Sequence, residues 1–129
     1  MTRQAARGEE VEPVTEPTPS TGTVLTVLTT TDTPEKADAL ARGAVEARVA
    51  ACAQIDGPVT SVYRWEGAVE TAREWRVLLK TTEHRYADLE SWLTRAHDYD
   101  TPEIIATPVT RGSAAYLSWV AAETAPAAG

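Results

Sequence analysis

The chain of 129 residues has a single cysteine, Cys52. No disulfide can form within it, and a reducing compartment, the cytoplasm, is the expected location. No apolar run approaches the roughly eighteen residues of a membrane span, and the N-terminus lacks the apolar stretch of a secretory signal. Neither a membrane partner nor export is expected. Basic residues are in the minority, 12 Lys and Arg against 19 Asp and Glu, for a net charge of −7. That balance disfavours nucleic acid and anionic membranes as partners. A glycine-rich loop feeding a helix is also missing, since Asp56-Gly57-Pro58 precedes an extended run, which argues against a phosphate cradle. The Thr31-Asp32-Thr33-Pro34 loop carries no arginine, against acylphosphatase-type chemistry. No CxxC, HxxxH or HExxH spacing occurs, so a closed zinc site within one chain is not signalled.

What the sequence does hold is a long ribbon from Val59 to Thr81, two extended segments joined at Glu66-Gly67. Val59, Ser61, Tyr63 and Trp65 face one way, and Thr60, Val62 and Arg64 the other. After the turn, Trp75, Val77 and Leu79 share a face, with Leu78 and Lys80 opposite. Such alternation predicts strands. Val69 to Thr81 alone would extend about 43 Å at roughly 3.3 Å per residue, against an ordinary strand of about five or six residues. The ribbon is therefore expected to reach past its own domain, where its bare edges would pair indiscriminately. A second copy of the chain is the expected cover.

Residues 1–22 are rich in Pro, Glu and Thr, with Met1, Val11 and Val14 as their only large aliphatics. They cannot bury enough surface to offset chain entropy and read as a disordered tail. The folded domain spans 23–123. Thr23 to Thr31 is β-branched with apolar residues on both faces, a central strand. Asp32 or Thr33 caps a helix running from Pro34 to Ala51, with Ala37, Leu40, Ala41, Ala44, Val45 and Val49 on one face. Ala51 to Ile55 is extended again, and Asp56-Gly57-Pro58 breaks it with a turn or bulge. Beyond the ribbon, Thr81 or Thr82 caps a second helix striped by Tyr86, Leu89, Trp92, Leu93 and Ala96. Glu103 to Thr110 is a last strand, marked as an edge by Pro108. A short helix from Ser113 to Ala122 turns Tyr116, Leu117, Trp119 and Val120 inward, and 124–129 is a flexible terminus. The fold class is α+β: β-α-β-β-α-β with both helices on one face of an antiparallel sheet, plus a C-terminal helix. The other face also needs cover, which identical copies packed sheet against sheet would supply.

Candidate metal ligands are Cys52, His84 and His97, with Asp98, Asp100, Glu103, Glu66 and Glu74. Thiolate with imidazole suits copper or zinc, copper leading in affinity. On the residues alone, a small buried cysteine and a helix-terminal histidine facing the last carbonyls account better for Cys52 and His97. Cys52 in AACAQI has no electropositive neighbour to activate it, and no acid/base pair can be assembled, so an enzyme is not expected. Tyr63, Trp65 and Tyr99 would line a pocket or pack at a subunit boundary, and Lys80 would meet an anion or solvent.

Six stretches together resemble the CutA family of divalent-ion-tolerance proteins: VLTTTDTPEKA, ARVAACAQI, SVYRWEGAVE, Glu74 followed by VLLKT, HDYDTPEII and YLSWV. The resemblance implies a ferredoxin-like fold and a PII-like homotrimer with interlocking hairpins. It also implies a cytoplasmic, heat-stable protein tied to tolerance of copper and other divalent cations. Cys52, His97 and Glu103 are then the implied metal ligands, with Tyr63, Trp65, Glu74, Lys80 and Tyr99 lining clefts between subunits. No cofactor is required, though Cu(2+) or another divalent cation is a candidate ligand. The residues leave two other roles open: a PII-like trimer for a small anionic metabolite, and a structural trimer with no ligand. Asp98 departs from the proline usual there, adding a carboxylate beside His97.

Overall fold

β-Branched residues from Val24 to Thr31 form β1, the second strand from one edge of a four-stranded sheet. The computed structural model describes residues 22–126, so the expected tail over 1–22 lies, Gly22 apart, outside the described residues. After β1 come α1 (Pro34–Glu46), β2 (Cys52–Trp65), β3 (Ala68–Thr82), α2 (Tyr86–Ala96), β4 (Ile105–Pro108) and α3 (Ala114–Glu123). The strand order is β2-β3-β1-β4 with every pairing antiparallel. This is the expected α+β arrangement, with the four-residue β4 and its Pro108 on an edge.

Alternation in β1 sends Leu25 and Val27 to the helical face. There they pack with Val77 and Leu79 of β3, with Ala37, Leu40, Ala41 and Ala44 of α1, and with Leu89 and Leu93 of α2. The thin alanine layer of α1 allows close approach: a Cβ added at Gly43 would lie 2.5 Å from the Trp92 ring. Val24 points to the opposite face, where Ala51 and Val120 join it under α3.

α1 stops at Glu46, short of the expected Ala51. Arg48 takes a left-handed φ of 63°, the conformation that ends many helices and that usually falls to glycine. Val45, placed on the buried face by its spacing, is exposed, while Val49, beyond the helix, is buried. The break at 56–58 is a bulge within one strand, a register shift between Asp56 and Val59. Neither Thr81 nor Thr82 caps α2 through its side chain. Thr82 precedes a 3-10 turn over Glu83–Arg85 with no such bond, and the buried Thr81 hydroxyl donates to the Val49 carbonyl at 2.8 Å. β4 is shorter than the expected 103–110. In α3, Val120 is fully buried, but Tyr116 and Trp119 are exposed rather than turned inward. Thr124, the first residue of the expected flexible terminus, is buried, and its hydroxyl bonds the Val120 carbonyl at 2.8 Å.

β3 pairs with β1 only from Trp75 to Thr82, whereas its pairing with β2 continues to Ala68. The ribbon from Val59 to Glu74 thus extends past β1, closed by a tight turn with Glu66 at φ 51° and Gly67 at φ 85°. Positive φ at both central residues matches the right-handed twist of a hairpin.

Candidate functional site

Where the ribbon leaves the sheet body, its register puts Trp65, Tyr63, Ser61 and Val59 opposite Ala68, Glu70, Ala72 and Glu74. Cross-strand partners share a face. That face is the one opposite the helices, since Glu74 follows the parity of Arg76, Leu78 and Lys80. The chain leaving α2 folds over it from Tyr99 to Glu103. Between ribbon and loop lies a groove of about 780 Å³, which Tyr63, Trp65, Glu74, Tyr99, Asp100 and Glu103 line together with Asp32 and Thr30. Six of the candidate cleft or metal-site residues therefore meet: Tyr63, Trp65, Glu74, Tyr99, Asp100 and Glu103.

Glu74 forms part of the groove's wall and is only 8% exposed. Its Oε2 accepts a 2.7 Å hydrogen bond from the Tyr99 hydroxyl. Burial, and then this carboxylate, push the Tyr99 phenol well above the ordinary tyrosine range. Tyr63 and Trp65 keep 44% and 43% of their surfaces exposed. Among the described residues no Lys or Arg contributes to the groove wall, and its charged residues are all carboxylates. Such a wall attracts cations and repels anions.

His97 is buried just outside the groove, and both of its ring nitrogens are occupied. Nε2 lies 2.7 Å from the Thr30 carbonyl, and Nδ1 accepts from the Tyr99 N–H at 3.2 Å. A carbonyl only accepts, so Nε2 carries the proton and Nδ1 spends its lone pair on Tyr99. His97 thereby ties the loop to β1 and sets the position of Tyr99. Beside it, Asp98 bonds Lys36 at 2.6 Å, and the ammonium lowers the Asp98 pKa.

Cys52 and Lys80 stand elsewhere. They are register partners at the other end of the sheet, with Thr26 next to Lys80 on β1. From Thr26 to Thr30, where His97 touches, is about 13 Å along the strand. Lys80 donates to Gln54 Oε1 at 3.0 Å, away from the groove. The Cys52 thiol lies 3.4 Å from the Tyr116 hydroxyl, a bond that, with burial, pushes the phenol up to about 12. Among the described residues no three of His, Cys, Asp and Glu cluster closely enough to hold a metal. Cys52, His97 and Glu103 are thus not brought together in one chain. Asp32, Thr30 and the Tyr116 contact carried no signal in the sequence, because each depends on pairing between distant segments.

A family model described as CutA1 divalent ion tolerance protein matches residues 25–123. The divalent-cation tolerance protein CutA of Thermus thermophilus is 40% identical over 98 residues, covering 76% of this chain and 95% of that protein. The chloroplastic CutA of Arabidopsis thaliana is 36% identical over 96 residues, covering 74% of this chain but 53% of the longer relative. The crystal structure of CutA1 from Oryza sativa superposes with a TM-score of 0.80 at 33% identity, covering 84% of this chain and 99% of that one.

Proposed function

Because the chain belongs to the CutA1 divalent ion tolerance family, we propose that it acts as a homotrimer binding a divalent cation, copper foremost, in clefts between subunits. The observation that carries this reading is the unfinished sheet surface. Ile55, Val62, Tyr63, Trp65, Val69 and Ile105 all remain exposed on the ribbon and sheet of a single copy, as do Tyr116 and Trp119 on α3. Apolar area on this scale marks an interaction surface, and a ribbon with open edges pairs readily with its own kind.

Pooling copies also answers the shortage of ligands in one chain. Glu103 offers a carboxylate from the groove, and the half-buried Cys52 offers a soft donor from the opposite end of the same face. A thiolate is a soft donor, and copper heads the affinity order of the divalent ions. His97 joins such a set only by giving up its bond from Tyr99, so Cys52 and Glu103 are the stronger pair. In this reading the protein binds rather than catalyses, and an unpaired thiol suits the cytoplasm.

Calorimetric titration of the metal-free protein with Cu(2+) tests the proposal. Saturable binding that weakens in both Cys52→Ser and Glu103→Gln is expected. Heats that never saturate, or binding untouched by either change, would overturn it.

A further inference from the structure

The groove has more room than a metal ion needs, and its walls have a different chemistry. A bare divalent cation is held by several oxygens closing on one point, and no three candidate ligands do so among the described residues. A volume of about 780 Å³ lies instead within the range of pockets for small organic molecules. Two aromatic side chains, Tyr63 and Trp65, stand on adjacent same-face positions of β2 and are nearly half exposed. The faces of such rings attract cations through their quadrupoles.

Glu74 supplies the second observation. It is more than nine-tenths buried, yet among the described residues no Lys or Arg pairs with it, and Tyr99 is the one donor, at Oε2. No donor to Oε1 is found among those residues, and Glu74 lines the groove. A carboxylate removed from water without a counter-charge is costly unless something positive arrives. Asp100 and Glu103 on the loop add charge of the same sign.

We propose that this groove binds an organic cation, an ammonium or guanidinium group carried on an apolar body, with its charge at Glu74 and its body against Tyr63 and Trp65. The site deepens the cleft reading above and rests on it for location only. Its ligand class is separate from copper, and Glu74 is not one of the proposed copper pair, Cys52 and Glu103.

The experiment is titration of the full-length protein with agmatine chloride at fixed ionic strength, followed by calorimetry and tryptophan fluorescence, with sodium glutarate as the anionic control. Saturable agmatine binding is expected, weakened about tenfold or more in Glu74→Gln, which removes a charge-assisted bond but keeps the shape and the acceptor for Tyr99. Trp65→Leu should weaken it severalfold. Agmatine binding should survive Cys52→Ser, which weakens copper binding from the other end of the sheet, so the two readings fail independently. Absence of saturable agmatine binding, binding indifferent to Glu74→Gln, or preference for glutarate would each overturn the proposal.

Discussion

The Tyr99 hydroxyl donates a 2.7 Å hydrogen bond to the Glu74 carboxylate, tying the loop after α2 to the base of the ribbon. Replacing Tyr99 with Phe keeps the ring and leaves a buried carboxylate without its donor. The expected loss is about 1–3 kcal/mol, the usual cost of a buried polar group left unpaired. Urea unfolding at one fixed chain concentration measures it, and an unchanged midpoint would mean that water replaces the phenol freely.

The same phenol makes the fold sensitive to alkali. Burial and Glu74 raise the Tyr99 pKa, and Cys52 and burial bring Tyr116 up to about 12. In the unfolded chain both ionise near the ordinary value of about 10. The neutral form is thus favoured by folding, and its stabilisation is complete below pH ~10 and lost as pH rises toward 12. Unfolding midpoints recorded from pH 8 to 12 should fall above pH ~10, and less steeply in Tyr99→Phe. A flat profile in the parent protein would contradict this.

His97 should behave as a strut in the absence of any metal. His97→Ala strands the Thr30 carbonyl and the Tyr99 N–H, both of which it now satisfies. A loss of roughly 2–4 kcal/mol is expected from two unpaired backbone groups. Thermal unfolding in EDTA measures the effect. A metal-free variant as stable as the parent would return His97 to a ligand's role alone.

Gly43 tests how closely the helices approach. A Cβ there would meet Trp92 at 2.5 Å, far inside contact distance, so overpacking should outweigh the better helix propensity of alanine. Gly43→Ala is expected to cost about 1–3 kcal/mol, read as a lower urea midpoint. Gly43→Ala with Trp92→Leu should recover part of the loss.

The sequence made the local geometry legible. Period-two alternation located the ribbon, Glu66-Gly67 its turn, and Pro108 the edge strand, because each depends on neighbouring residues alone. The end of α1 was hidden, since Arg48 adopts the left-handed conformation that glycine ordinarily advertises. Tyr63, Trp65 and Tyr99 were legible as pocket or interface residues and Glu74 and Glu103 as candidate ligands, but their meeting in one groove was not. Composition and spacing do not reveal that a loop near 100 closes over a strand near 74. The engagement of both His97 nitrogens was illegible for the same reason: its partner Thr30 lies 67 residues away.

Further copies of the chain are proposed to complete the exposed sheet and ribbon. Light scattering coupled to size exclusion, at micromolar concentration, measures this directly. The expected particle has three times the 13.9 kDa chain mass and shifts toward smaller species in Trp65→Asp on the exposed ribbon. A folded particle of one chain mass at that concentration would contradict it.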